Sequence, residues 1–325
     1  MEPLSSPKPL RIAMLDVAKP QQQRLSGLLD FSHEFAAPAD TRQIVDAVVA
    51  LRFGRPEAER YETRLIHLPG AGADAIETQI LKPGCTVCNV FEHEIPIAEY
   101  VLAAILDHSV GYGQLRKAFD AGRWTETYAA RRTHGEIYGK TLGLIGYGHI
   151  GKEVTKRAQA FGMRVHVISN SGKAPEADWA ARPDKLNELL PLADFLVIAC
   201  PLTEQTRGLI GARELELMKP TAVLINIGRA QVVDEESLYR ALAANQLGGA
   251  TLDVWYDYPA PGRTDAKPSR FPFDQLPNVH CTAHSCAWTE QLFERRYAVI
   301  ADNLKRLHRS DSLRNVIFTA PSPRL

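Results

Sequence analysis

An apolar run that breaks into spaced glycines and then turns helical leaves a chain few ways to fold. Here the run is Leu142-Gly143-Leu144-Ile145, the glycines are Gly146, Gly148 and Gly151, and a helical pattern follows over 152–161. Strand, Gly-x-Gly-x-x-Gly turn and helix, in that order, are the start of a dinucleotide-binding βαβ unit. Gly146 permits the tight turn, Gly148 lets backbone approach a pyrophosphate, and Gly151 lets the helix pack closely on the strand. The N–H groups of His149, Ile150 and Gly151 at the helix start then face the phosphates.

From Leu142 onward apolar runs alternate with helical stretches, at 142–146, 165–168, 195–199, 222–227, 249–254 and 279–282. Alternation of this kind predicts a parallel sheet of about six strands with helices on both faces. The first part of the chain reads as another α/β region, with strands at 11–16, 48–53, 65–68 and 86–89. Its loop 69–74 (PGAGAD) is predicted to lead into a helix start, where exposed N–H groups would suit a carboxylate, although from this segment alone a plain β-to-α connection is the favoured reading. The loop 90–96 precedes a long apolar helix predicted over 97–119. The segment 111–139, with Trp124 and Arg131-Arg132, reads as the crossing between domains and a candidate dimer contact. A last helix over 288–308 is expected to return to the first domain, with a cleft between the two.

Composition excludes several classes. The 325 residues carry 38 Lys and Arg against 38 Asp and Glu, so no global charge favours a nucleic-acid partner. With 45% hydrophobic residues and no apolar run of spanning length, neither disorder nor a membrane partner is expected. The Pro- and Ser-rich lead at 1–9 lacks an apolar core and reads as disordered rather than as a secretory signal. Five cysteines, an odd number, fit a reducing, cytoplasmic setting. Cys85 and Cys88 are spaced as CxxC, but no second ligand pair accompanies them and their Thr-Val centre reads as strand, so buried cysteine rather than a metal site is expected.

In doubly wound sheets ligands lie beyond the carboxyl ends of the strands. The residues there are Cys200-Pro201 after 195–199, Gly228-Arg229 after 222–227, Asp253 after 249–252, and Ala283-His284 after 279–282. Singly, Arg229 could be a surface cation, Asp253 a helix cap and His284 a packed histidine. An Arg, an Asp and a His together at one ligand-facing edge form a constellation that argues against three separate bland readings.

With these motifs the chain resembles the D-isomer-specific 2-hydroxyacid dehydrogenases. The marks are GAGAD at 70–74, AE at 98–99, GKTLGLIGYGHIG at 139–151, CPLTEQTRGLI at 200–210, NIGRAQVVDEESL at 226–238, LDVW at 252–255 and TAH at 282–284. The resemblance implies a dinucleotide-binding domain at 106–289 and a smaller flavodoxin-like α/β substrate domain at 1–105, completed by 290–325. It implies a homodimer that moves a hydride between nicotinamide C4 and a small 2-keto or 2-hydroxy acid. It gives Arg229 the substrate carboxylate and carbonyl, a task for a planar, permanently charged guanidinium. It makes His284 the acid/base, suited by a pKa near working pH. Asp253 falls near the nicotinamide carboxamide, Ala71 and Gly72 at the substrate carboxylate, and Pro201, Thr206 and Ile227 around the cofactor.

Two positions depart from the family pattern. Its DVFxxEP run is here Asp253-Val254-Trp255-Tyr256-Asp257-Tyr258-Pro259, so Tyr258 stands where a glutamate would partner the histidine. A carboxylate raises a histidine pKa, whereas a phenol only hydrogen-bonds, so His284 is expected to be less often protonated. Asp257 is an alternative partner. Formate dehydrogenases also lack that glutamate, but their formate-binding asparagine aligns with His93, which makes His93 a candidate substrate contact. The second departure follows the strand at 165–168: Ser169 occupies the position of the acid that binds the ribose of NAD, with Asn170, Ser171 and Lys173 next. No charge there repels a 2′-phosphate, and the reading tilts from NAD to NADP, although the family's usual NADP arginine is missing. The leading expectation is an NAD(P)-dependent 2-ketoacid reductase. The alternatives are a nucleotide-sensing interaction protein and a dehydrogenase of a formate- or phosphite-like donor.

Overall fold

A parallel strand covered on both faces needs an unbroken apolar run, and the glycine-containing stretch supplies the central one. The computed structural model describes residues 8–15, 19–37, 41–259, 263 and 265–321. The chain divides into two units, His93–Trp288 and Met1–Glu92 with Thr289–Leu325. In the first of these, seven parallel strands lie side by side in the order Trp179–Ala181, Arg164–Ile168, Thr141–Ile145, Phe195–Ile198, Val223–Asn226, Gly249–Leu252, Val279–Cys281. The chain starts mid-sheet, winds to one edge, returns and winds to the other, the doubly wound order. Leu142, Leu144, Leu196, Val197, Ile198, Leu224 and Ile225 are all sealed from solvent. Their alternation sends Leu196, Ile198 and Leu224 to one face and Leu142, Leu144, Val197 and Ile225 to the other.

The register is level at the carboxyl edge. Ile145 pairs with Ile168 and Ile198, Ile168 with Ala181, Ile198 with Asn226, Asn226 with Leu252, and Leu252 with Cys281. The sheet has one strand more than the sequence pattern predicts, Trp179–Ala181. It is a half-buried edge strand of three residues, too short for a periodicity to register.

The helix predicted over 97–119 is two helices, Glu94–Val110 and Tyr112–Ala118. Gly111 breaks it with a left-handed φ of 64°, a conformation glycine adopts without a Cβ penalty. Ile97, Val101, Leu102 and Ile105 of the longer helix are buried with Val154 and Ala158 of the helix His149–Ala160, so the whole helix belongs to this unit. The division therefore falls at Glu92/His93, not at 105/106. The helix after the glycines begins at His149, earlier than the pattern at 152 predicts.

The other unit has a six-stranded sheet in the order Val316–Thr319, Thr86–Cys88, Leu65–His67, Ala47–Val49, Leu10–Met14, His33–Phe35. Its five amino-terminal strands run parallel in the 2-1-3-4-5 order of flavodoxin-like sheets. Val316–Thr319 adds antiparallel to Thr86–Cys88. The helix Glu290–Arg309, capped by Thr289, buries Tyr297, Ile300, Ala301 and Leu304 against Leu10, Ile12 and Leu25. Cys88 lies in its strand and Cys85 one residue before it; both are buried, and burial pushes their thiols up to about 12 and about 11. No α-helix starts after the loop at 69–74. It runs instead into a bridge between Phe53 and Ile76 and a single 3₁₀ turn at Thr78–Ile80.

The strand expected at 11–16 ends at Met14. Its last expected residue and most of the lead at 1–9 lie outside the described residues. Among the described residues no helix is long and apolar enough to cross a membrane, and no cluster of three or more His, Cys, Asp or Glu could hold a metal ion.

Candidate active site

The glycines behave as three different devices. Gly146 has a φ of 104°, and a Cβ on it would lie 2.8 Å from the backbone of Ala199 and Cys200. A Cβ on Gly151 would lie 2.5 Å from the carbonyl oxygen of Gly146. A Cβ on Gly148, by contrast, would meet nothing within 4 Å. Two glycines thus let the helix close on the strand, and the third leaves an open approach to the exposed helix start at Gly148 and His149. That is the cradle a pyrophosphate needs, so the chain fits a dinucleotide here. Tyr147, between the glycines, donates its phenol proton to Glu176.

At the carboxyl end of Val223–Asn226 the buried Asn226 shapes the next turn. Its Oδ1 accepts the N–H of Gly228 at 3.1 Å and its Nδ2 donates to the carbonyl of Arg229 at 3.1 Å. Gly228 has no room for a Cβ, which would sit 2.9 Å from the Cys200 carbonyl. Arg229 is thereby presented just past the strand, and its guanidinium Nη1 donates to Gly228 O at 2.9 Å. Sequence reasoning gave Asn226 no role, although an Asn before Ile-Gly-Arg is the residue type that closes such a turn.

Asp253 is fully buried, and its carboxylate is held by three groups of its own unit. Oδ1 accepts from Thr282 Oγ1 at 2.6 Å and from the N–H of Ser285 at 2.8 Å, and Oδ2 accepts from the N–H of Cys286 at 3.1 Å. Because Thr282 spends its proton on Asp253, Tyr100 must be the donor in its 2.6 Å bond to Thr282 Oγ1. This network holds the turn in which His284 takes a left-handed φ of 55°, a costly conformation for a residue with a side chain.

His284 Nδ1 lies 2.9 Å from the phenol oxygen of Tyr258, which also accepts the N–H of Trp255 at 3.1 Å. Asp257 does not substitute as the partner: both its carboxylate oxygens bind Arg263. Partial burial lowers the His284 pKa below its ordinary value; the Asp253 charge raises it and the Arg229 charge lowers it. Tyr258 is shifted up, chiefly by burial, and the charge of Arg229 also reaches it. Arg229, Tyr258, Asp253 and His284 therefore form one group, with Pro201 on the adjoining loop, where Thr206 Oγ1 donates to the Pro201 carbonyl at 2.7 Å. Ile227 is buried in the core of its unit.

The remaining expected residues lie elsewhere. Ser169, Asn170, Ser171 and Lys173 form a turn beyond Arg164–Ile168, with Ser169 Oγ donating to the Lys173 carbonyl at 3.2 Å. His93 precedes the helix Glu94–Val110, its Nδ1 3.9 Å from the Glu94 carboxylate. Ala71 and Gly72 belong to the other unit, where the Ala71 carbonyl accepts from Asn89 Nδ2 at 2.9 Å. In that unit Glu92 has a φ of 71°, its carbonyl accepts from Arg295 Nη2 at 3.1 Å, and the Phe91 carbonyl accepts from Arg296 Nε at 3.2 Å.

Comparison with known proteins agrees with the doubly wound unit. The NAD-binding domain of the D-isomer specific 2-hydroxyacid dehydrogenases matches residues 102–286. A D-3-phosphoglycerate dehydrogenase of Methanocaldococcus jannaschii is 33% identical over 261 residues, which cover 78% of this chain and 47% of that protein. A glyoxylate reductase of Pyrococcus horikoshii is 34% identical over 66% of this chain and 68% of its own length. The chain spans about half the length, or less, of the first curated relatives it matches. A 2-hydroxyacid dehydrogenase structure from Ketogulonicigenium vulgare superposes with a TM-score of 0.77 at 24% identity, covering 96% of this chain and 99% of that one.

Proposed function

The chain belongs to the D-isomer-specific 2-hydroxyacid dehydrogenase family, and on that premise we propose that it is an NAD(P)-dependent reductase of small 2-keto acids. The observation that carries the reading is the group formed by Arg229, Tyr258, Asp253 and His284 at the carboxyl edge of the dinucleotide sheet. A bound nicotinamide would supply the hydride; the protein's own residues do the rest. Arg229 grips the substrate carboxylate and polarises the keto oxygen, where negative charge develops. His284, as the imidazolium, delivers a proton from Nε2 to that oxygen. Its Nδ1–H then donates to Tyr258 Oη, which keeps the ring oriented. Asp253 fixes the turn from below.

The same proposal assigns the Ala71-Gly72 backbone and His93 to the substrate, and the unit of residues 1–92 and 289–325 to the role of substrate domain. Glyoxylate and hydroxypyruvate are the first substrates to try, since glyoxylate reductases are among the relatives. A homodimer is also proposed. It is supported by Phe119, Trp124 and Tyr128, which are exposed yet packed on one another at centroid distances of 6.0 and 5.6 Å, with Arg131 over Tyr128. The free cysteines suit a reducing, cytoplasmic setting.

The test is the initial rate of NADPH and NADH oxidation with glyoxylate, hydroxypyruvate and pyruvate, with His284→Ala as control. Turnover that disappears in the control supports the reading. Nucleotide binding without turnover of any keto acid would move the assignment to a nucleotide sensor or, if formate or phosphite is oxidised, to an unusual-donor dehydrogenase. Tyr258 favours the reductase over the sensor, because it retains a hydrogen bond to Nδ1 where the family glutamate is lost.

A further inference from the structure

Three neighbouring strands end level, and the residues just past them are Gly146, Ser169 and Arg182. Gly146 N–H donates to the Ile168 carbonyl at 2.9 Å, and Ser169 N–H donates to the Ala181 carbonyl at 3.0 Å. The glycine turn, the end of the second strand and the end of the overlooked edge strand are thus stitched side by side. In this fold the end of the second strand reads the ribose that carries or lacks a 2′-phosphate.

That position holds no acid here. Ser169 and Ser171 place their hydroxyls 3.3 Å apart, and Gly172 closes the hook with a φ of 70°. A Cβ on Gly172 would lie 2.8 Å from Cγ of Arg182, so the stem of the arginine crosses the hook's backbone. The nearby carboxylates are engaged elsewhere: Glu176 accepts from Tyr147, and Asp178 Oδ2 accepts the N–H of Val165 at 2.7 Å. Among the described residues neither Lys173 nor Arg182 has an ion-pair partner, and both are exposed. Two exposed cations, Lys173 in the hook and Arg182 beside it, and two hydroxyls thus belong to the strand ends where a ribose 2′ substituent is read.

We propose that Arg182, assisted by Lys173 and the hydroxyls of Ser169 and Ser171, binds the 2′-phosphate and makes this chain select NADP(H) over NAD(H). The inference rests on the dinucleotide-binding reading above and deepens it. A guanidinium offers a phosphate dianion two parallel hydrogen bonds and a fixed charge. With no carboxylate to accept from the ribose hydroxyls, NAD(H) has no matching gain.

The test is direct titration of the purified protein with NADPH and with NADH, followed by nucleotide fluorescence, for the parent chain and for Arg182→Ala, Arg182→Lys and Lys173→Ala. The expected result is tighter NADPH binding by the parent. Arg182→Ala should weaken NADPH about ten- to hundredfold and change NADH by about twofold or less. Arg182→Lys should recover part of the loss, and Lys173→Ala should cost less than Arg182→Ala. Equal affinity of the parent for both nucleotides, or an equal loss of both in Arg182→Ala, overturns the inference and leaves the dinucleotide reading standing. Binding of neither nucleotide overturns the dinucleotide reading itself, and the inference with it.

Discussion

The phenol oxygen of Tyr258 lies 2.9 Å from Nδ1 of His284 and accepts a backbone N–H from the other side. A phenol can donate to a neutral imidazole or accept from an imidazolium, whereas a carboxylate only accepts and adds a charge. With the His284 pKa already lowered, chiefly by burial, the protonated form needed for reduction grows as pH falls below neutrality. The kcat/KM for keto-acid reduction should therefore rise from pH 8 toward pH 5. Tyr258→Glu should move that profile up by about 1–3 pH units. Superimposable profiles for the two proteins would remove Tyr258 from the account.

Arg229→Lys keeps a charge but loses the planar fork. A drop in kcat/KM of about a hundred- to thousandfold is expected, as for loss of a donor aimed at developing charge. Asn226→Ala frees the turn that presents Arg229 and should raise KM, while Arg229 itself remains. Steady-state kinetics on both variants separates gripping the substrate from presenting the grip.

Asp253→Asn replaces an acceptor by a donor opposite the N–H groups of Ser285 and Cys286. One buried mismatch costs about 1–3 kcal/mol, visible as a lower Tm. Because the Asp253 charge raises the His284 pKa, the same variant should shift the pH profile further to acid. A lower Tm with an unshifted profile would leave Asp253 a purely structural role.

The glycines separate folding from binding. Gly151→Ala places a methyl 2.5 Å from a carbonyl oxygen and should destabilise the unit. Gly148→Val enters open space, so its Tm should stay near the parent value while nucleotide binding is lost. Thermal melts with and without NADPH read both effects.

His67 is fully buried between the Asn303 side chain and the Leu68 carbonyl, and burial drives its pKa down to about 4. The unfolded chain therefore binds a proton near pH 6.5 that the folded chain refuses. The sign is that of a depressed pKa: stability is fully present above about pH 6.5 and is lost as pH falls toward 4. Urea denaturation should show a loss of about 2 kcal/mol between pH 7 and pH 5 from this group alone. His67→Gln should flatten that slope, and an unchanged slope would assign the pH dependence to other groups.

Much of this architecture was legible because buried parallel strands need continuous apolar runs, and the runs at Leu142, Phe195 and Val223 are unambiguous. The same rule points to Arg229 after the Val223 run and to His284 after the run at Val279 as candidates. The strand Trp179–Ala181 was not legible, because three residues at a sheet edge are too short to show a period, and with it went Arg182. Nor could pattern show which way Asp253 turns. Its direction depends on Thr282, Ser285 and Cys286 converging from a distant part of the chain, and the sequence shows only that an acid follows a strand. The break at Gly111 was available as a glycine, but only the left-handed φ distinguishes a helix end from a tolerated glycine within one.

The unit built from residues 1–92 and 289–325 takes its long helix and its antiparallel strand from the end of the chain. On the ribosome those pieces emerge after the whole doubly wound unit. Until then Thr86–Cys88 is an uncovered sheet edge, and the cluster of Leu10, Ile12 and Leu25 lacks the cover of Glu290–Arg309. Synthesis order thus makes the nucleotide-binding half the first to mature. Residues 1–92, although made before it, wait with exposed surface for residues 289–325, and that interval is when misassembly threatens most.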